Sequence, residues 1–224
     1  HVTGSDDALI KVPFNNAHED PNALLKSAHE KKARLVYFSN PNNPMGSFHG
    51  PEIIQHMLSR LPEGCLLCLD EAYADFVDEI DLPVIDIEHP HLIRFRTFSK
   101  AFGLAGARVG YALTNRVLAT AFNKIRNHFG MSRLGQVAAL AALNDYQHQK
   151  KVKQQLAFSL ERIAAIAAAK NCVALPSKTN FVAIDCMRDG IYAKKVLETL
   201  ISFGLFVRML GVAPQNRCIR VSAG

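Results

Sequence analysis

The residues best suited to chemistry lie at positions 97–111, which read TFSKAFGLAGARVGY. Lys100 follows an apolar run, residues 92–95, that is typical of a buried strand. A lysine at the end of a buried strand must pair with an anion or form a covalent bond. Arg108 offers a planar cationic fork that suits a phosphate. The plainer interpretation of the same residues is a solvated loop with a surface lysine and an arginine ion pair.

Two more polar segments follow predicted strands. Residues 40–46, NPNNPMG, follow the strand predicted at 35–39, and residues 70–73, DEAY, follow the strand predicted at 65–69. In a parallel sheet, ligands bind beyond the carboxyl ends of the strands. Because Lys100 follows a third strand, we expect these three segments to line one pocket.

Together these side chains have the chemistry that pyridoxal 5′-phosphate requires. Lys100 can form a Schiff base with its aldehyde. The Asp70 carboxylate can hold a proton on its pyridine nitrogen, and Tyr73 and Asn43 can hydrogen-bond its ring hydroxyl. Three further side chains can hold its phosphate: Arg108, Thr97 and Ser99.

The wider pattern indicates an α/β protein, with a mostly parallel sheet covered by helices on both faces. We predict strands at 8–13, 35–39, 65–69, 92–95 and 109–113, and helices at 21–32 and 51–61. Helices are then predicted at 118–125, 133–143 and 152–170. Strands at 173–175, 180–185, 205–210 and 218–222, with a helix at 191–202, complete a smaller α+β unit. We therefore predict a large cofactor-binding domain at residues 1–147 and a small α+β domain at 148–224.

Composition excludes several classes of function. The net charge of +6 is spread out and lacks long basic runs, so nucleic acid is not expected as a partner. No apolar run approaches the roughly 20 residues that span a bilayer. Five cysteines lie mostly in apolar runs, which favours a cytoplasmic setting. Cys65 and Cys68 have no second pair to complete a zinc site, so we expect no metal.

At this point the sequence resembles a family, the class I/II (fold type I) aminotransferases, and most closely their histidinol-phosphate branch. The motifs that carry the resemblance are NPNNPMG at 40–46, DEAYADF at 70–76, TFSKAFGLAGARVGY at 97–111 and CIRVSAG at 218–224. Their order and spacing agree with the family along essentially the whole chain. The resemblance implies the fold of the large cofactor-binding domain followed by a small C-terminal domain.

The resemblance also implies a role for each matched residue. Lys100 carries the cofactor and moves the proton between the substrate Cα and the cofactor C4′. Asp70 keeps the pyridine nitrogen protonated, and Tyr73 and Asn43 hydrogen-bond the ring hydroxyl. We expect the catalytic residues to be Lys100, Asp70 and Tyr73.

The remaining matched residues bind anions. Arg108, with Thr97 and Ser99, binds the cofactor phosphate. Arg220 matches the arginine that receives a substrate carboxylate as a bidentate pair. Arg208 is placed where it can make a second anion contact, to a substrate phosphate.

The implied activity is amino transfer between an amino acid or amino-alcohol phosphate and a 2-oxo acid. Histidinol phosphate is the favoured donor and an aromatic amino acid the second choice. By resemblance we expect a homodimer in the cytoplasm. The sequence begins later than family members do, so we expect the sheet and the phosphate site to be incomplete in this chain.

Other functions fit part of the pattern. A pyridoxal-phosphate-dependent decarboxylase of a phosphorylated amino acid shares nearly all of these motifs. A non-catalytic aminotransferase-like domain is the alternative outside enzymes. LLCLDEAY also resembles the strand and acidic pair of P-loop ATPases, but the sequence has no G-x-x-x-x-G-K-[ST] loop.

Overall fold

The strands form two four-stranded sheets in a computed structural model that describes residues 9–84 and 86–223. The first sheet contains β1 (Leu35–Ser39), β2 (Leu66–Asp70), β3 (Leu92–Thr97) and β4 (Gly110–Thr114), in that order. β1, β2 and β3 run parallel, and β4 pairs antiparallel with β3. The carboxyl ends of the three parallel strands therefore meet at one edge, as the sequence predicts.

Two helices cover one face of this sheet. They are α1 (Pro21–Glu30) and α2 (Pro51–Ser59), and each begins with proline at its first position, where the missing N–H costs nothing. Asp20 caps α1 by accepting a hydrogen bond from the Ala23 N–H at 2.9 Å. Leu25 and Ile54 pack against Val36 of β1 in the same buried cluster. This packing fixes the sheet from which the site residues project.

The second sheet is antiparallel and follows a helical region. The helices are α3 (Arg116–Phe122), α4 (Arg133–Asn144), α5 (Tyr146–Ala168) and α6 (Gly190–Ser202). The strands β5 (Val173–Ala174), β6 (Phe181–Asp185), β7 (Arg208–Met209) and β8 (Cys218–Ser222) lie in the order β5-β6-β8-β7. The proposed domain boundary at residue 147 falls in the first turn of α5 and stays a prediction.

Two predicted strands are wrong or too long. Residues 9–13 of the strand predicted at 8–13 are irregular, and residue 8 lies outside the described residues. Leu9 and Ile10 are exposed, and in the described part of the chain this segment does not pair with β1, the edge strand of the sheet. The strand predicted at 205–210 shrinks to Arg208–Met209, because residues 205–207, which follow the turn after α6, are irregular.

A buried ion network joins the ends of β2 and β3. The Glu71 side chain is only 1% exposed and accepts two hydrogen bonds from Arg94, both at 2.8 Å. Arg96 donates to the same carboxylate at 2.9 Å and to Asp75 at 3.1 Å. A buried carboxylate needs this many donors to offset the loss of its water. The network therefore fixes the backbone where the polar segments leave the sheet.

We predict that Glu71→Gln lowers the free energy of unfolding by about 3–5 kcal/mol, because it leaves buried arginine charge uncompensated. Urea unfolding measures the change. Glu30→Gln is the control, since the exposed Glu30 side chain only approaches Lys26 at 4.0 Å and contributes less than about 0.5 kcal/mol. Equal effects of the two substitutions would contradict this role for Glu71.

Candidate functional site

The loop at residues 40–46 gives its three asparagines different tasks. Asn40 is buried and exchanges two hydrogen bonds with the His49 backbone, both at 2.8 Å. Asn42 is also buried and donates its amide to the Glu19 carboxylate. Asn43 is exposed. Two asparagines therefore hold the loop, and the third lies at its surface.

Glu19 is the buried anchor of this loop. Its carboxylate accepts hydrogen bonds from Asn42 and from the Ser47 hydroxyl, the latter at 2.9 Å. His49 Nε2 lies 3.9 Å from the same carboxylate and is buried without a hydrogen-bond partner among the described residues. Burial lowers the pKa of His49 and raises the pKa of Glu19, although Ser47 and Asn42 act in the opposite direction.

The loop also lies directly against the segment before β6. Gly46 has a φ of +80°, and a Cβ added there would lie 2.4 Å from the Ser177 hydroxyl oxygen. The Lys178 N–H donates to the Gly46 carbonyl at 2.9 Å. Both the left-handed backbone and the close approach require glycine at this position.

Asn43 connects the loop to a residue that follows β2 and to a residue of β8. Its amide nitrogen lies 3.5 Å from the Tyr73 hydroxyl, and its carbonyl oxygen accepts a hydrogen bond from Arg220 of β8. The Arg220 guanidinium stacks on the Phe181 ring, with Cζ 4.7 Å from the ring centroid. Its Nε is buried and has no hydrogen-bond partner among the described residues. The structure therefore brings Asn43, Tyr73 and Arg220 together.

Lys100 and Asp70 lie at the same edge of the sheet. Lys100 Nζ is 5.3 Å from the centroid of the Tyr73 ring, within the range of a cation–π contact. Asp70 ends β2, and its Oδ1 accepts a hydrogen bond from the Ala72 N–H at 2.9 Å. Its Oδ2 accepts a hydrogen bond from the Tyr37 hydroxyl. The sequence did not single out Tyr37; only the register of β1 against β2 could have revealed it.

The proposed phosphate-binding residues fall into two groups. Thr97 and Ser99 contact each other, with their hydroxyl oxygens 3.0 Å apart. Arg108 is exposed, adopts a left-handed backbone with φ of 54°, and donates to the Ala105 carbonyl at 2.7 Å. Among the described residues, no hydrogen bond joins Arg108 to either hydroxyl. The structure pairs the hydroxyls and leaves the guanidinium apart from them.

Arg208 lies directly opposite Arg220 in the pairing of β7 with β8. Side chains directly opposite each other in an antiparallel ladder share one face, and like charges there repel. An anion between the two guanidinium groups removes this repulsion. The described residues contain no cluster of histidine, cysteine and carboxylate side chains suited to a metal ion.

The anchor at Glu19 predicts how stability depends on pH. Because burial raises the pKa of Glu19 above its ordinary value of 4.5, the folded chain binds this proton more tightly than the unfolded chain. The stability that the bound Glu19 proton confers on the fold is complete below pH 4.5, and it is lost as the pH rises through the folded-state pKa of Glu19. We predict that wild type loses free energy of unfolding relative to Glu19→Gln over this window.

Urea unfolding at a series of pH values measures the difference, with Glu63→Gln, an exposed position, as the control. A difference between wild type and Glu19→Gln that grows in favour of wild type with rising pH would contradict the prediction.

Polar side chains gathered at the carboxyl ends of parallel strands define a ligand-binding α/β protein. The family model for aminotransferase class I and II matches residues 6–224. The chain therefore belongs to the class I and II aminotransferases.

Within this family, the chain is similar to proteins named histidinol-phosphate aminotransferases. The chain is 34% identical to histidinol-phosphate aminotransferase 1 of Nitrosococcus oceani over 216 residues, which cover 95% of this chain and 57% of the relative. It is 33% identical to histidinol-phosphate aminotransferase 2 of Haemophilus influenzae over 227 residues, covering 100% of this chain and 61% of the relative. The chain thus spans less than two thirds of the length of either relative.

A solved structure supports the same assignment of fold. The histidinol-phosphate aminotransferase of Sinorhizobium meliloti, in complex with pyridoxal-5′-phosphate, superposes with a TM-score of 0.92 at 50% identity. The match covers 95% of this chain and 59% of that one. The fold predicted from the sequence, that of a cofactor-binding aminotransferase domain, is confirmed.

Proposed function

We propose that this chain carries the active-site residues of a pyridoxal-phosphate-dependent aminotransferase, with histidinol phosphate as the favoured donor and a 2-oxo acid as acceptor. One observation carries the proposal: at the carboxyl ends of three parallel strands, Tyr73 lies beside both Lys100 and Asn43, and Asp70 ends the central one of these strands. Membership of the aminotransferase family supports it.

The donor set fits this cofactor. A carboxylate offers about four acceptor positions, and Asp70 uses one for Ala72 and one for Tyr37. It therefore retains room for the N–H of a pyridinium ring. The unpartnered Arg220 Nε also requires an acceptor, which an anionic substrate supplies.

Bound pyridoxal phosphate supplies an aldehyde that takes up an amino group and a ring that accepts electron density from the substrate Cα. Lys100 holds the cofactor and then carries the proton to and from Cα. Asp70 stabilises the charge on the ring nitrogen, which makes the ring a better electron acceptor. Tyr73 and Asn43 orient the ring through its hydroxyl group.

Two kinds of anion fit the paired arginines. A 2-oxo acid presents a carboxylate and histidinol phosphate presents a phosphate, and both suit a guanidinium fork. Arg220 is fixed by Asn43 and Phe181, which supports a role in receiving the carboxylate. Arg208 is exposed on the same face, which supports a role in receiving the phosphate.

We also propose phosphate contacts from Thr97, Ser99 and Arg108, with Arg108 turning from Ala105 toward the phosphate. By family membership we propose a cytoplasmic homodimer. Light scattering of the purified chain tests the dimer through its mass. No helix in the described part of the chain is long and apolar enough to cross a membrane.

We predict that pyridoxal phosphate added to the purified chain produces the visible absorbance band of a lysine-bound cofactor. Lys100→Ala abolishes the band, because no other lysine occupies the proposed position. Lys26→Ala, on the exposed side of α1, is the matched control and leaves the band intact. A band of equal strength in Lys100→Ala would contradict the assignment.

We predict that Arg208→Gln raises KM for a phosphorylated donor roughly 10- to 100-fold, as expected when a charged hydrogen bond is lost. The KM for an unphosphorylated aromatic donor changes little. Arg162→Gln, at an exposed position on α5, is the control.

The assay follows 2-oxo acid consumption and carbon dioxide release in parallel. Stoichiometric carbon dioxide from a phosphorylated amino acid would favour the decarboxylase alternative.

A further inference from the structure

Tyr37 contacts Asp70 of the proposed cofactor site without lying in any of the matched motifs. We propose that Tyr37 is a positioning residue that holds the Asp70 carboxylate in place for the pyridine nitrogen. This inference rests on the proposed function, because it assigns the ring nitrogen as the partner of Asp70.

The strand register places Tyr37 beside Asp70. Tyr37 of β1 lies opposite Cys68 of β2, and Asp70 is two residues further along β2. Since residues two apart on a strand share a face, Tyr37 and Asp70 project from the same face as diagonal neighbours. The phenol spans this diagonal and donates to Asp70 Oδ2.

Two donors on two different oxygens fix the carboxylate plane. The Ala72 N–H binds Oδ1 at 2.9 Å and the Tyr37 hydroxyl binds Oδ2. A carboxylate with only the Ala72 contact can rotate about its terminal torsion, which is broad in aspartate. Tyr37 removes that freedom and leaves a lone pair for the ring N–H.

Tyr37 remains a donor at physiological pH. Burial raises the pKa of its phenol, and the hydrogen bond and negative charge of Asp70 raise it further. Among the described residues, the titratable groups that raise the Tyr37 pKa are Asp70 and Cys68, and burial raises the pKa of the Cys68 thiol to about 11. The phenol therefore keeps its proton and stabilises the ionised carboxylate throughout the neutral range.

The hydroxyl of Tyr37 can be removed without disturbing the core. Tyr37 is 57% exposed, and the buried residues of β1 are Val36 and Phe38 on the opposite face. Tyr37→Phe keeps the ring and loses only the hydrogen bond. Tyr111→Phe is the matched control, since Tyr111 lies on β4 of the same sheet and is 37% exposed.

The first experiment needs no cofactor. The chain is labelled with 3-fluorotyrosine, and the Tyr37 ¹⁹F resonance is assigned among the five tyrosines by its loss in Tyr37→Phe. We expect Asp70→Asn to lower the pH at which this phenol titrates, because it removes the charge that raises the Tyr37 pKa. An unchanged Tyr37 titration in Asp70→Asn overturns the contact and with it the inference.

The second experiment uses the chain with bound pyridoxal phosphate. We expect Tyr37→Phe to weaken cofactor binding roughly tenfold and to shift the pH dependence of the cofactor absorbance. Tyr111→Phe does neither. In an Asp70→Asn background, Tyr37→Phe has no further effect, because its target is already altered.

Two results distinguish a failure of the inference about Tyr37 from a failure of the proposed function. If wild type binds the cofactor at Lys100 but Tyr37→Phe matches Tyr111→Phe in affinity and absorbance, the inference about Tyr37 is overturned and the proposed function stands. If wild type forms no Lys100-bound band, the proposed function fails for this chain. The fluorine titration then still decides whether Tyr37 holds Asp70.

Discussion

The buried Glu71 carboxylate is the contact on which the site depends. It lies between Arg94 and Arg96, so it ties the end of β2 to the end of β3. Asp70 directly precedes Glu71, and Lys100 follows Arg96 by four residues. Charges this deeply buried persist only when every partner is present. We therefore expect removal of one partner to disturb both the acid and the lysine of the proposed site, although neither belongs to the ion network.

A second set of contacts brings β8 to the same edge. Asn43 accepts a hydrogen bond from Arg220 and approaches Tyr73, so one amide links the loop after β1, the segment after β2 and β8. Behind it, Glu19 holds the loop through Asn42. Asp70, Asn43 and Arg220 are therefore each held by a second residue, which is the arrangement that precise catalysis requires.

Much of this could be predicted from the sequence. Apolar runs that end in NPNNPMG, DEAY and TFSK predict both the parallel strands and the edge where they meet. Tyr37 could not be found in this way, because a tyrosine inside a strand is ordinary and only the register places it beside Asp70. The strand predicted at 8–13 was wrong for the opposite reason: its apolar pattern is sound, but residues 9–13 do not pair with the edge strand β1 in the described part of the chain. The sequence spacing of Arg108, Thr97 and Ser99 suggested that they share one phosphate site. Whether Arg108 contacts the two hydroxyls depends on the direction of its side chain, which is set by its left-handed backbone.

The attachment point of the cofactor tests the proposed site directly. The chain is treated with pyridoxal phosphate, reduced with borohydride and digested, and the modified peptide is identified by mass spectrometry. We predict one stoichiometric adduct, on Lys100. A stoichiometric adduct on a different lysine, or substoichiometric labelling spread over surface lysines, would contradict the claim that the three strand ends form a cofactor site.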